Sequence, residues 1–223
     1  MKQYFLGIDT SCYTTSCAII DDELNIVGEA RKILDVKSGM KGLQQSNMVF
    51  QHTKVLPRLI EELAQVPLSG IGVSAFPRRA DDSYMPAFLV GHSFGRALSH
   101  MMKVPMYEFS HQENHILAAL RDIGSIPNQP FYALHLSGGT TELVLTEYKD
   151  KGIFESSIIG GSNDLQGGQF VDRVGVALGL QFPCGKELER LALQTDTYDP
   201  LPSSVKDGWI SFAGPCSAAL RNI

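Results

Sequence analysis

Two histidines four residues apart, His111 and His115, are the side chains of this sequence best placed to do chemistry. At 3.6 residues per turn, residues at this spacing lie on one face of a helix, so both imidazoles can bind one metal ion. A zinc peptidase needs a glutamate directly after the first histidine, and that position is Gln112. The pattern is therefore compatible with a metal site that lacks peptidase chemistry, but by itself it is more typical of solvated or capping histidines.

The residues around the histidines predict where their helix begins. Ser110 and Glu113 have the S-x-x-E spacing of a capping box, in which each side chain bonds the backbone N–H of the other residue. We therefore interpret Glu113 as a helix cap, and we do not expect it to act as a catalytic base.

Small and hydroxyl residues occur at two turns in equivalent places along the chain. The first is G-I-D-T-S at 7–11, and the second is S-G-G-T-T at 137–141. Glycines let the backbone approach a phosphate, whose oxygens accept hydrogen bonds from N–H groups and hydroxyls. Each turn alone is more typical of a hairpin, but the repeated placement favours nucleotide binding. Asp9 and Ser11 are the candidate catalytic residues of the first turn.

The elements that position these turns follow one another in two similar runs. Each run begins with a meander of three short strands and continues into helices, which predicts a duplicated α/β architecture with a cleft between the halves. We expect a first lobe at 1–108 and a second, with the histidine helix, at 109–223. The predicted strands are 4–10, 16–21, 25–33, 71–76, 104–109, 131–136, 142–148 and 153–159, and the predicted helices are 43–63, 85–102, the histidine helix and 166–178.

Composition indicates an ordered protein that acts in the cytoplasm. The 223 residues are 43% hydrophobic and 19% charged, with no apolar run long enough to cross a membrane and no secretory signal. The four cysteines form no C-x-x-C pair, so we expect buried, reduced thiols. The formal charge of -5 argues against a general nucleic-acid binder and leaves Arg78 and Arg79 as a small basic patch.

A succession of motifs along nearly the whole chain resembles the TsaD family, formerly called glycoproteases. The motifs are G-I-D-T-S-C (7–12), H-T-K-V-L-P (52–57), H-x-x-x-H-I-L-A (111–118), L-S-G-G-T-T-E-L (136–143), G-G-Q-F-V-D-R (167–173), P-C-G (183–185) and S-F-A-G (211–214). The resemblance implies an actin-like, sugar-kinase-like fold of the ribonuclease-H-like type, with a nucleotide held between two lobes.

The resemblance also implies roles for individual residues. His111 and His115 look like the family's two histidine ligands for one divalent metal ion, iron or zinc. Asp172 looks like a ribose-binding carboxylate, and Gly185 lies in a loop that contacts the nucleotide. The bound nucleotide would be an adenine nucleotide or threonylcarbamoyl-AMP. The remaining expected substrate contacts come from the end of the sixth strand and its turn: His135, Leu136, Ser137, Gly138, Gly139 and Thr140.

His135 occupies a position where some family members have a tyrosine metal ligand. It lies two residues before Ser137 and therefore faces the same side of its strand. We expect His135 in or next to the metal's coordination sphere, with an ordinary core or surface histidine as the alternative.

The sequence also departs from the family pattern. Tyr13 and Thr14 follow Cys12 where acidic residues are usual, the G-P-G-L loop is replaced by residues 76–84, and Thr140 and Gln169 replace family residues. The family's region after S-F-A-G supplies a nucleotide-binding asparagine and a metal-binding aspartate, and this chain ends at Ile223. We expect either a fragment or a diverged relative.

The implied activity is transfer of a threonylcarbamoyl group from its AMP adduct to N6 of an adenine in tRNA. The implied partners are tRNA, TsaB-like and TsaE-like subunits or a second copy of the chain, and no membrane. A non-catalytic nucleotide-binding scaffold of the same complex is the main alternative. A small-molecule kinase or a metallopeptidase is a weaker one.

Overall fold

The computed structural model describes residues 2–36, 43–149 and 153–223. The chain divides into two compact units, Met1–Ile126 and Pro127–Ile223. Each unit contains its own mixed sheet of five strands, with helices between strands, so the predicted α/β class is confirmed. In the described part of the chain, no helix is both long and apolar enough to cross a membrane.

The first unit contains a sheet with strand order β3-β2-β1-β4-β5. The first three strands are an antiparallel meander, whereas β4 and β5 run parallel to β1. The carboxyl ends of β1, β4 and β5 therefore meet at one edge of the sheet. The elements are β1 Tyr4–Asp9, β2 Thr14–Asp21, β3 Ile26–Ile33, α1 Gln45–Glu61, β4 Leu68–Phe76, α2 Phe88–Met102, β5 Met106–Ser110 and α3 His111–Ile123.

The core of the first unit lies between one face of this sheet and helices α1 and α2. Alternate residues of the central strands point into it, as the period of two in a strand requires. Leu6 and Ile8 of β1 and Ile71 and Val73 of β4 are all buried, and Leu56 of α1 packs against them. This packing holds β1 and β4 side by side, with Ile8 paired to Val73 near their carboxyl ends.

The second unit repeats the meander and then adds short elements. Strands β6, β7 and β8 are antiparallel neighbours, β10 runs parallel to β8, and the sheet order is β6-β7-β8-β10-β9. The elements are β6 Phe131–Leu136, β7 Thr141–Lys149, β8 Ile153–Ser162, α4 Gly167–Ala177, α5 Gly185–Ala192, β9 Ser204–Lys206, β10 Trp209–Ser211 and α6 Ala213–Arg221.

The histidine helix α3 belongs to the first unit, whereas the sequence division at residue 108 placed it in the second. It packs on β4 and β5, directly after the strand that leads into it. The first compact unit therefore extends to Ile126, and both histidines lie in the same unit as Asp9.

Candidate functional site

A complete capping box fixes the start of helix α3. The Ser110 hydroxyl accepts the Glu113 N–H at 3.1 Å, and the Glu113 carboxylate accepts the Ser110 N–H at 2.7 Å. Glu113 is 2% exposed and also accepts a hydrogen bond from Nε of Arg79 at 3.0 Å. The predicted helix cap is confirmed, and the Glu113 carboxylate stabilises the start of α3.

His111 and His115 face each other on the first turns of α3. Their Nε2 atoms are 3.0 Å apart, and their rings meet edge to face with centroids 4.4 Å apart. Two nitrogen ligands at about 2.05 Å from a tetrahedral zinc would be about 3.3 Å apart. A separation of 3.0 Å is compatible with a hydrogen bond between the rings, and with a shared metal ion after a small opening of the pair.

Asp9, the last residue of β1, holds the other side of the His111 ring. Its Oδ2 lies 3.4 Å from Nδ1 of His111, and its Oδ1 accepts the Ser11 N–H at 2.7 Å. Burial disfavours the charged carboxylate, but hydrogen bonds from His111 and Ser11 outweigh burial and lower the pKa of Asp9 to about 2.

The charge of Asp9 acts in turn on His111. Burial disfavours the imidazolium, but hydrogen bonds to Asp9 and Cys12 outweigh it and raise the pKa of His111 to about 9. A carboxylate at Nδ1 also leaves Nε2 as the atom that can bind a metal, which is the usual arrangement behind a histidine ligand. The geometry therefore makes Asp9 an orienting residue of the histidine pair.

Two further residues continue this network, and the sequence reasoning missed both. Ser74, near the end of β4, donates from Oγ to Asp9 Oδ2 at 2.9 Å, and Asn114 of α3 donates from Nδ2 to Ser74 Oγ at 2.7 Å. The available signals were the meeting of parallel strand ends, which brings Ser74 beside Asp9, and the i+3 spacing from His111 to Asn114.

His52 of α1 stabilises the turn after Asp9 through hydrogen bonds to Cys12 and Thr15. Nε2 of this fully buried histidine lies 3.0 Å from the Cys12 carbonyl, and Nδ1 lies 2.8 Å from the Thr15 hydroxyl. The carbonyl can only accept, so Nε2 carries the proton and Nδ1 accepts from Thr15. Burial lowers the pKa of His52 and keeps this ring neutral.

A groove of about 670 Å³ opens beside this network. Asp9, Ser74 and Asn114 line it, together with apolar side chains of the sheet face that α1 and α2 leave uncovered. A volume of this size is within the range of small-molecule sites. The polar network is thus reachable by a ligand of nucleotide size.

The predicted phosphate-binding turn of the second unit, Ser137–Thr140, is stabilised by hydrogen bonds between its own residues. The Ser137 hydroxyl accepts the N–H groups of Gly139 and Thr140 at 3.2 and 2.9 Å, and the Ser137 N–H donates to the Thr140 carbonyl at 2.7 Å. The Gly168 N–H, in the first turn of α4, donates to the Ser137 carbonyl at 3.0 Å. The turn therefore lies against the N-terminus of α4.

The glycines of this region have different reasons to be glycine. A methyl group at Gly168 would come within 2.6 Å of the Ser137 and Gly138 backbone, so only glycine allows the turn and helix to touch. A methyl group at Gly138 or Gly139 would meet no described atom within 4 Å beyond its chain neighbours. These two glycines leave open space beside the turn, and a phosphate bound there stays a prediction.

Asp172 and Gly185 are close neighbours in the second unit. Asp172 lies on α4, and its Oδ1 accepts the N–H of Cys184 at 2.8 Å, directly before Gly185 begins α5. One oxygen of Asp172 is thus used to hold the loop of Gly185, and Oδ2 is the atom that can contact a ribose. The ribose-binding role of Asp172 stays a prediction.

The structure also shows the surroundings of Arg79 and of the four cysteines. The Arg79 guanidinium donates to the Glu113 carboxylate and the Glu108 carbonyl, so it supports the fold locally, and a basic patch at Arg78 and Arg79 stays a prediction. Cys17, Cys184 and Cys216 are buried and reduced as predicted, whereas Cys12 is reduced but exposed at the turn after β1.

The residues expected to bind the metal lie in different units of the chain. His135 lies on β6 of the second unit, and its place near the metal stays a prediction. Within residues 2–36, 43–149 and 153–223, no three His, Cys, Asp or Glu side chains are grouped to bind a metal ion. The histidine pair of the first unit thus supplies two donors.

Comparison with known proteins decides the family. The TsaD family model, tRNA N6-adenosine threonylcarbamoyltransferase, matches residues 84–223. Over 98% of its length the chain is 32% identical to the tRNA N6-adenosine threonylcarbamoyltransferases of two Thermus thermophilus strains. The chain belongs to the TsaD family.

As a TsaD-family chain, it spans about two thirds of the length of these relatives, 67% and 66%. Among solved structures, a ROK family protein from Streptococcus pneumoniae TIGR4 in complex with sucrose matches with a TM-score of 0.52 at 15% identity. That match covers 86% of this chain and 68% of the other. The predicted actin-like fold is therefore confirmed for this TsaD-family chain.

Proposed function

We propose that this chain takes part in the transfer of a threonylcarbamoyl group from threonylcarbamoyl-AMP to N6 of an adenine in tRNA. The observation that carries the proposal is the arrangement of Asp9, His111 and His115 at the strand edge of a TsaD-family chain. In this reaction the N6 amine attacks the carbamoyl carbon. The bond from that carbon to the phosphate oxygen breaks, AMP leaves with the electron pair, and the amine loses one proton.

One divalent metal ion, iron or zinc, fits the histidine pair. The Nε2 atoms of His111 and His115 would hold it, and substrate, water or a further side chain such as His135 would supply the remaining donors. When bound, such an ion supplies Lewis acidity toward the phosphate and carbamoyl oxygens of the substrate. Asp9 and Ser11 then have supporting roles: the Asp9 carboxylate holds the Nδ1 proton of His111, and the Ser11 N–H holds Asp9.

The adenylate half of the substrate would be bound by the second unit. The Ser137–Thr140 turn lies against the N-terminus of α4, where the positive end of the helix dipole favours a phosphate. Asp172 and the Gly185 loop are adjacent to each other and suit a ribose hydroxyl and a nucleotide edge. Ser137, Gly138, Gly139 and Thr140 are therefore the proposed phosphate contacts, with His135 and Leu136 before them on β6.

The proposal includes action in the cytoplasm together with other chains. Arg79 is occupied within the fold, and the net charge is -5, so this chain offers little electrostatic attraction for RNA. TsaB-like and TsaE-like subunits, or a second copy of the chain, would then help to bind the tRNA.

A single-turnover transfer assay tests the function. Purified chain, threonylcarbamoyl-AMP, tRNA and the partner subunits would be mixed, and modified adenosine measured by mass spectrometry. Wild-type protein should form it, the His111→Ala and His115→Ala variants should lose at least tenfold in rate, and His100→Ala, which removes an exposed histidine of α2, should match wild type. Equal rates for all four proteins, or no product from wild type, would refute the proposal.

A further inference from the structure

The side chains of Asn114, Ser74, Asp9 and His111 form a series of three contacts across three elements, and the backbone of α3 closes this series into a ring. The ring leaves α3 at Asn114, crosses to Ser74 on β4, continues to Asp9 on β1, and returns to α3 at His111. Its three distances are 2.7, 2.9 and 3.4 Å. The helix that holds both histidines is thus tied to the sheet edge at two points, Ser74 on β4 and Asp9 on β1.

Only one assignment of donors and acceptors satisfies all three contacts of this ring. An ionised carboxylate can only accept, so Asp9 receives the hydrogen of the Ser74 hydroxyl and the Nδ1 hydrogen of His111. Ser74 has given its only hydrogen to Asp9, so Asn114 must present its NH₂ group to Ser74. The charge of Asp9 therefore fixes the amide orientation of Asn114 and the hydroxyl rotor of Ser74.

Burial of Ser74 stabilises these hydrogen bonds against exchange with water. Ser74 is 2% exposed, so water does not compete strongly for its hydroxyl, and its place on a central strand is set by the core beneath. A carboxylate that accepts from a buried hydroxyl loses rotational freedom about its own side-chain bond. The same carboxylate oxygen, Oδ2 of Asp9, accepts the hydrogen bonds of both the Ser74 hydroxyl and the His111 Nδ1–H.

We propose that Ser74 and Asn114 are positioning residues that fix Asp9 and, through it, aim Nε2 of His111 at the metal shared with His115. This inference rests on the proposed function, because it concerns the metal of that site. Ser74 acts on Asp9 directly and Asn114 acts only through Ser74, so the two residues form one series.

The metal-free protein provides the first test. In ¹⁵N-histidine-labelled protein, Ser74→Ala should change the Nδ1 shift of His111 and broaden it, Ser74→Thr should restore the wild-type shift, and Asn114→Ala should give a smaller change. The control is Ser99→Ala, which removes another hydroxyl donor of this unit that bonds the Val104 carbonyl at 2.6 Å. Thermal melting of each variant checks that it is folded. An unchanged His111 signal in folded Ser74→Ala protein would overturn the proposal.

Titration with Co²⁺ provides the second test. Loss of a residue that orients a ligand typically costs 10- to 100-fold in metal affinity. Ser74→Ala should show a loss of about this size, and Asn114→Ala about three- to tenfold. Ser74→Thr should remain close to wild type, as should Ser99→Ala. The Co²⁺ absorption band of Ser74→Ala should also shift, which a general loss of stability would not produce.

The double variant decides whether the two residues act in series. If Asn114 acts through Ser74, Ser74→Ala/Asn114→Ala should bind Co²⁺ as weakly as Ser74→Ala alone. Independent losses that multiply would overturn this order. Wild-type protein that binds no Co²⁺ would refute the proposed metal function but would leave the His111 shifts as a test of the ring itself.

Discussion

Oδ2 of Asp9 lies 3.4 Å from Nδ1 of His111, a residue 102 positions later in the chain. Asp9 ends β1 and His111 begins α3, so their contact depends on the parallel placement of β1, β4 and β5. One ring nitrogen of His111 is held by a carboxylate, and the other is directed toward His115. The first of the two turns that looked suited to chemistry thus holds the His111 ring through Asp9, and the second, at Ser137–Thr140, remains the proposed phosphate site.

Replacing Asp9 by asparagine should weaken metal binding while the fold persists. The amide has nearly the same shape but no charge, so it holds the Nδ1 proton of His111 less strongly. We expect Co²⁺ affinity to fall about 10- to 100-fold, measured by spectroscopic titration. Glu108→Gln, which changes the carboxylate that contacts Nε2 of His92 at 2.8 Å, should leave the affinity unchanged. Equal affinities for Asp9→Asn and wild type would contradict the orienting role.

The buried His52 should make the fold sensitive to acid. Burial lowers its pKa in the folded protein, whereas the unfolded chain has the ordinary value of about 6.5. The unfolded state therefore binds the proton first, and the stability present above pH 6.5 is lost as the pH falls below it. Urea unfolding should show that His52→Gln is less stable than wild type at pH 7.5, by about 1–3 kcal/mol, and that the difference narrows toward pH 5.5.

Asp9 and His111 are present in both of these proteins, so their own titrations cancel in the comparison. His100→Gln, a change at an exposed histidine, should keep the wild-type pH dependence. A gap between wild type and His52→Gln that stays constant from pH 7.5 to 5.5 would show that His52 is not the sensitive group.

Removing the guanidinium of Arg79 should destabilise the histidine helix. Glu113 is buried beside this guanidinium, so removing the positive charge of Arg79 takes away an interaction that stabilises the buried carboxylate. Because Arg79 itself is about one-third exposed, we expect Arg79→Gln to lower the free energy of unfolding by only about 1–3 kcal/mol. Chemical denaturation would measure this change, and Arg96→Gln at an exposed position of α2 should be neutral. An unchanged free energy of unfolding in Arg79→Gln would mean that the ion pair does not stabilise α3.

Alanine at two glycines should separate folding from nucleotide binding. Gly138→Ala adds a methyl group in open space, so it should keep the melting temperature but weaken adenylate binding, measured by calorimetry. Gly168→Ala places the methyl against the backbone of Ser137 and should lower the melting temperature as well. If Gly138→Ala binds adenylate as wild type does, the turn is not the phosphate site.

Local patterns predicted the parts of this protein that depend on neighbours in sequence. The capping box at Ser110 and Glu113, both meanders and the helical spacing of the histidines follow from periods of two or 3.6 residues. The strands β9 and β10, of three residues each, are too short to show a period, and they were not predicted.

The ring of side chains behind His111 depends on sheet order instead. Ser74 is beside Asp9 because β4 pairs with β1, and nothing near either residue in the sequence indicates that pairing. Asn114 acquires a partner only after α3 has packed on β4. Local sequence reasoning therefore finds the histidine pair more readily than the side chains that contact it through the sheet edge.

Metal stoichiometry tests the central claim most directly. Protein purified under anaerobic conditions would be dialysed against Co²⁺ and analysed by mass spectrometry for bound metal per chain, beside His111→Ala/His115→Ala and the exposed-histidine control His100→Ala. We predict one ion for wild type and His100→Ala, and none for the double variant. Equal metal content in the double variant and wild type, or none in wild type, would contradict a metal centre at His111 and His115.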